Sequence, residues 1–198
     1  MIAIVDYGAG NLTSVKKALD WLGQNAVITS DASEIDQAEK LIVPGVGHFA
    51  ATRNLEETGL KSAIRKSIER GVPLLGICLG MQWMFTSSRE APQIRGLGLF
   101  AGEASQFPGE VKSPHVGWNQ LRLTRPSRLL SDLAGDIFVY FTHSYRLPVV
   151  AQTVATSEYG GSFSAVVERD NLFGVQFHPE KSGATGVRLL KAFCELPC

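Results

Sequence analysis

The chain of 198 residues is long enough for one well-buried core and short for two, so a single domain over residues 1–198 is expected. Nineteen Lys and Arg balance nineteen Asp and Glu without a basic run, which argues against the clustered charge of a nucleic-acid footprint. No stretch has the length of a membrane span, no signal core opens the chain, and Cys78, Cys194 and Cys198 make no disulfide framework; a cytoplasmic protein with a working thiol fits all three.

Ile2 to Val5 is a short apolar, mostly β-branched run and reads as a strand buried on both faces. Asp6-Tyr7-Gly8-Ala9-Gly10-Asn11 follows as a glycine-bearing turn. Asn11 is placed to cap a helix in which Leu12, Val15, Ala18, Leu19 and Leu22 recur at helical spacing, and Gly23 can close it. Strand, turn and helix begin a β-α-β unit, but two glycines are too few for a dinucleotide fingerprint, so no NAD is expected. Asn25 to Ile28 reads as a second strand and Leu41 to Val43 as a third that stops at Pro44. In Pro44-Gly45-Val46-Gly47-His48-Phe49, glycines just past a strand can turn N–H groups toward a developing negative charge, as in an oxyanion hole; the same residues also suit an ordinary Pro-Gly turn. Leu55 to Arg70 predicts one or two helices with Leu60, Ala63, Ile64 and Ile68 facing inward and Gly71 at the stop.

Leu74-Leu75-Gly76-Ile77-Cys78-Leu79-Gly80-Met81-Gln82 then runs from a buried strand through a sharp turn into a helix, with Cys78 at the turn. Gly76 and Gly80 let the backbone fold tightly enough for a nucleophile elbow, and a helix N-terminus favours the thiolate. Taken alone, Cys78 also reads as one more buried apolar residue. Beyond it, Gly, Pro and Ser thicken between Ser87 and Pro114, and short strands crowd together: Leu121 to Leu123, Ile137 to Phe141, Thr153 to Thr156, Ala165 to Glu168 and Leu172 to Phe177. A last helix runs from about Thr185 to Phe193 through Val187, Leu190 and Phe193. Together these predict an α/β fold: an open mixed, mainly parallel sheet flanked by helices, with antiparallel additions in the C-terminal half.

A thiol nucleophile needs a base, and the base needs an orienter. His178-Pro179-Glu180 directly follows the last predicted strand, so an extended backbone puts the imidazole and the carboxylate on one side, with Glu180 favouring the imidazolium. No close Cys/His pair offers a zinc site, and no metal or cofactor is expected.

Gly76-Ile77-Cys78-Leu79-Gly80-Met81-Gln82 with Phe177-His178-Pro179-Glu180 resembles the class I (triad) glutamine amidotransferases. Asp6 to Asn11, Pro44 to Gly47, His115-Val116-Gly117-Trp118-Asn119, Tyr140 to Tyr145 and Lys181-Ser182 narrow the likeness to the glutaminase subunits of imidazole glycerol phosphate synthases. Two positions depart from that pattern: Val116 stands in place of methionine, and Arg89 in place of an acidic residue before Glu90. The resemblance implies a Cys78, His178, Glu180 triad that hydrolyses glutamine through a thioester. It implies an oxyanion hole from Leu79 and the Gly45-Val46-Gly47 loop, and binding of the substrate's amino-acid end by Gln82, Glu90, His143, Ser144 and Tyr145. It further implies a heterodimer with a (β/α)8-barrel cyclase that receives the ammonia, with Trp118, Asn119, Tyr140 and Lys181 as interface candidates; Trp118 and Tyr140 also suit a core. A glycine-flanked peptide in the Pro44 to Gly47 loop can rotate cheaply, so a donor N–H turned away until the cyclase binds its ligand is expected. Glutaminases of other synthases, a cysteine peptidase with the same elbow, and a regulatory pseudo-glutaminase are the alternatives; the complete triad set argues against the last.

Overall fold

The computed structural model describes residues 1–197; Cys198 lies outside them. The N-terminal half alternates strand and helix: β1 (Ile2–Val5), α1 (Leu12–Trp21), β2 (Ala26–Thr29), α2 (Ala32–Gln37), β3 (Lys40–Val43), α3 (Arg53–Glu57), α4 (Leu60–Glu69), β4 (Leu74–Ile77) and α5 (Leu79–Met84). The C-terminal half is strand-rich: β5 (Ser87–Ser88), β6 (Glu103–Gln106), β7 (His115–Leu123), β8 (Ile137–His143), β9 (Tyr145–Arg146), β10 (Thr153–Glu158), β11 (Ser162–Arg169) and β12 (Leu172–Val175), closed by α6 (Gly183–Glu195).

Nine strands form one sheet in the order β2-β1-β3-β4-β12-β11-β10-β7-β8. The first five run parallel, and from β12 onward every pairing is antiparallel. The expected mixed sheet is therefore present, and its change of sense falls beside β4 and β12, the strands that carry Cys78 and His178 at their ends. β1, β3, β4 and β12 are buried throughout, as continuous apolar runs demand of strands covered on both faces. A smaller sheet, β5-β6-β9, lies apart from the main one.

Two apolar layers sandwich the large sheet. One gathers Val15 and Leu19 of α1 and Leu189, Leu190 and Phe193 of α6 against Ile4, Ile42 and Phe173. The other gathers Ile35, Leu60 and Ile64 with Leu41, Val43 and Met81. Most expected inward positions are there, with Ile68 partly buried and Leu189 added to the face of α6. Asn11 occupies the N-cap of α1 but makes no side-chain cap bond, whereas Gly23 does take the left-handed conformation that ends the helix. The predicted helical region from Leu55 to Arg70 divides at Gly59, whose φ of 77° breaks it into α3 and α4.

Candidate active site

The turn after β4 is strained in the way a side chain pushed out of a sheet requires. Cys78 has φ 53° and ψ −105°, a conformation that few residues other than glycine adopt. It is held because its neighbours lack side chains: a Cβ on Gly80 would stand 1.8 Å from the Val43 carbonyl oxygen, and one on Gly76 would stand 2.6 Å from the Met84 sulfur. The Cys78 N–H donates to the Val175 carbonyl at 2.8 Å, tying the turn to β12. The thiol is buried and its sulfur lies 3.6 Å from Nε2 of the buried Gln176.

His178 and Glu180 meet at the end of β12. Nδ1 of His178 lies 2.9 Å from Oε1 of Glu180, and each side chain is only 1% exposed. Ser182 clamps this turn, its hydroxyl donating to the His178 carbonyl at 2.7 Å and accepting from the Tyr140 N–H at 3.0 Å. Gly186 of α6 packs so closely on Pro179 that a Cβ there would stand 1.9 Å from the proline carbonyl oxygen. Nε2 of His178 makes no hydrogen bond of ordinary geometry among the described residues, so it is free on the side away from Glu180. Burial alone would lower the imidazole's proton affinity, but the neighbouring Cys78 sulfur and Glu180 carboxylate outweigh it and raise the His178 pKa to about 10. The ring of His178 is therefore held as an imidazolium at neutral pH.

A cavity of about 320 Å³ opens beside Cys78, lined by Val46, Gly47, Leu79, Gln82, Glu90, Pro114 and the segment Thr142 to Tyr145. One wall is the loop after β3. The Leu79 N–H, the donor a helix start directs at the cavity, is occupied by the Gly45 carbonyl at 3.3 Å. Gly45 can approach so closely only without a Cβ, which would meet the Tyr7 hydroxyl at 2.3 Å and the Leu79 Cβ at 2.7 Å. The Tyr7 hydroxyl is buried, and burial, followed by the nearby Cys78 charge, drives its pKa far above normal.

A strained cysteine turn, a buried His-Glu pair and a polar cavity are common to several hydrolase classes, and comparison with known proteins separates them. The model of the glutamine amidotransferase class-I family matches residues 3–195. The chain belongs to the class-I glutamine amidotransferases. This amidotransferase is 52% identical to the imidazole glycerol phosphate synthase subunit HisH of Moorella thermoacetica, over 98% of this chain and 94% of that protein. It is 48% identical to the subunit of the same name from Caldanaerobacter subterraneus, over 99% of this chain and 98% of that one. The narrower resemblance thus holds as well: the amidotransferase groups with the HisH glutaminase subunits of an enzyme of histidine biosynthesis. A crystal structure of a glutamine amidotransferase superposes with a TM-score of 0.78 at 21% identity, covering 98% of both chains. PurLQS from Thermotoga maritima superposes at 0.73 and 21% identity, covering 98% of this chain and 96% of that one. These two likenesses bear on the fold alone.

In this amidotransferase every residue expected at the substrate's amino-acid end lines the cavity with Cys78. Their side chains are not equally available. One oxygen of the Glu90 carboxylate accepts the Phe49 N–H at 2.7 Å, anchoring the glycine loop, and the Gln82 amide donates to the Tyr145 carbonyl at 3.0 Å and to Gln176 at 3.2 Å. Of the interface candidates, Trp118 is 56% exposed and sits edge-on to Tyr140, and Lys181 is exposed in the turn after Glu180. Asn119 differs. Alternation along β7 turns it to the opposite face, where it bonds His115 and the Glu158 carbonyl. Sequence reasoning missed Gln176, Tyr7 and the site role of His115. Only Gln176 had a signal, its place two residues before His178 in a buried strand.

Proposed function

We propose that this amidotransferase hydrolyses glutamine with Cys78 as nucleophile, His178 as general acid and base, and Glu180 as orienter, and passes the ammonia to a partner. The Cys78 thiolate attacks the side-chain amide carbon, and the carbonyl electrons move onto oxygen. Collapse of that oxyanion expels ammonia as His178 delivers its proton, leaving a glutamyl thioester; His178 then takes a proton from water as the water attacks, releasing glutamate and the thiolate. The observation that carries this reading is the buried His178–Glu180 pair, with Nε2 free, beside a cysteine held at positive φ.

The oxyanion needs N–H donors, and the one on Leu79 is engaged by the Gly45 carbonyl. Rotation of the Gly45–Val46 peptide frees that donor and brings the Val46 N–H round beside it. Each such donor is worth on the order of a hundredfold in rate. We assign this rotation to docking of a (β/α)8-barrel cyclase carrying its ligand, in a cytoplasmic heterodimer that makes imidazole glycerol phosphate and AICAR. Trp118 is exposed with half-buried Tyr140 edge-on to it, and Lys181 is exposed directly after Glu180, which suits aromatic anchoring by such a partner. The whole chain acts as one amidotransferase domain.

The test is steady-state glutaminase assayed on the chain alone and with the cyclase plus its ligand, for wild type and Cys78→Ala. Very weak turnover alone, a steep rise in the complex, and complete loss in the variant with unchanged partner binding are expected. Equal rates in the two conditions overturn the loop rotation, and turnover surviving in Cys78→Ala overturns the nucleophile.

A further inference from the structure

His143 lines the cavity, yet neither of its ring nitrogens is free. Nδ1 lies 2.8 Å from the Tyr145 carbonyl oxygen and Nε2 lies 3.1 Å from Nδ1 of His115. A carbonyl only accepts, so His143 carries its proton on Nδ1, and burial keeps the ring neutral by pulling its pKa down to about 3. Nε2 of His143 is therefore an acceptor, and the proton between the two rings belongs to His115 Nδ1. His115 is kept neutral in the same way, with a pKa pulled down to about 4. Its Nε2 then accepts from Nδ2 of Asn119 at 3.3 Å, and that amide also donates to the Glu158 carbonyl at 2.9 Å. The Asn119 amide cannot be reversed without loss, because its oxygen accepts the Gln120 N–H at 2.8 Å. Every proton along the line has one place, and the bonds all run one way, from Asn119 through His115 and His143 to the Tyr145 carbonyl.

That carbonyl is a shared anchor. It also accepts from Gln82, whose second partner, Gln176, faces the Cys78 sulfur. Ring packing fixes the direction of the line: His115 is stacked on Tyr159 with centroids 4.1 Å apart and on Phe141 at 4.9 Å, and Phe107 meets both histidines edge-on.

We propose that His115 and Asn119 are positioning residues for glutamine, acting through His143 to hold the Thr142–Tyr145 wall of the cavity in one arrangement. His143 contributes to binding as a link in this line and gives no ring nitrogen to the substrate. The proposal rests on the reading that glutamine occupies this cavity, and it concerns residues remote from the reacting atoms.

The test uses the complex with the cyclase subunit and three variants. His115→Phe keeps a flat ring between Tyr159 and Phe141 but removes both nitrogens; His115→Gln keeps a donor and an acceptor; Asn119→Asp is nearly isosteric but replaces the donor with an acceptor. Losing an oriented bond of this kind raises the glutamine KM about tenfold, with kcat changed by less than about threefold, in His115→Phe and Asn119→Asp. His115→Gln is expected to recover most of the loss. Cyclase activity supplied with free ammonia stays at the wild-type level in all three, since that step does not use the cavity. A KM within twofold of wild type in both Asn119→Asp and His115→Phe, a loss confined to kcat, or equal losses in the Phe and Gln variants overturns the proposal. If His115→Phe fails to fold, Asn119→Asp carries the test by the same criteria. Absence of glutaminase in the wild-type complex would instead overturn the underlying function.

Discussion

At Gly80 the cysteine turn has no tolerance at all. A methyl group there would stand 1.8 Å from a backbone oxygen of β3, and neither partner is a flexible side-chain end that can move aside. Gly80→Ala is expected to destabilise the fold by about 3 kcal/mol or more, read from the urea unfolding midpoint. Gly47 offers the contrast: its φ is 95° but nothing lies within 4 Å of an added Cβ, so Gly47→Ala carries only the backbone cost of about 1 kcal/mol. Both glycines stand out in the sequence as loop or elbow glycines. Which of them is irreplaceable depends on the Val43 carbonyl, a neighbour 37 positions away along the chain that no local pattern reveals.

Among the elements, the connection between β7 and β8 is held by one carboxylate. Glu168 of β11 is buried, accepting from the Ser127 hydroxyl, the Arg128 N–H at 3.1 Å and the Leu129 N–H at 3.2 Å, with the Arg128 guanidinium 3.8 Å away. Removing it strands two backbone donors and a hydroxyl, so Glu168→Ala is expected to cost about 2–4 kcal/mol in chemical unfolding. Glu168→Gln retains one acceptor oxygen and is expected to lose less. The same strands show where sequence patterns fade. β7 was legible only from Leu121, although it begins at His115. Its first residues alternate a buried histidine with exposed Val116 and Trp118, and an apolar outward face disguises the alternation. The short helix α2 has one buried residue, Ile35, and so left little periodicity to read. By contrast β1, β3, β4 and β12 are buried on both faces, and their continuous apolar runs announced them.

For the whole molecule, acid stability is set by histidines held neutral. His115 and His143 have folded pKa values depressed to about 4 and about 3 from an unfolded value near 6.5. Between these limits the unfolded chain binds protons that the folded one refuses, so stability is full above about pH 6.5 and falls as pH drops toward 4. The slope approaches about 1.4 kcal/mol per pH unit for each such histidine. His178 acts in a different window. Its raised pKa contributes stability that is complete below 6.5 and is lost as pH rises through about 10, so it adds no slope on the acid side. Thermal melting at pH 7.5 and pH 5 is expected to show a lower midpoint at pH 5, and His115→Phe should flatten that dependence.

The class of fold, the cysteine turn, the His178-Pro179-Glu180 group and the membership of the amidotransferase family were all present in the sequence. Each is a local property: apolar runs set strands, glycines permit a tight turn, and contiguous motifs carry their own identity. What the tertiary structure alone decided is which polar groups find each other. Nothing in the order of residues says that Gly45 occupies the Leu79 N–H, that His143 is bonded through both nitrogens, or that Asn119 turns inward from Trp118. Those outcomes depend on buried donors and acceptors being satisfied by whatever the packed sheet brings within about 3 Å, and that is settled only when distant strands are laid side by side.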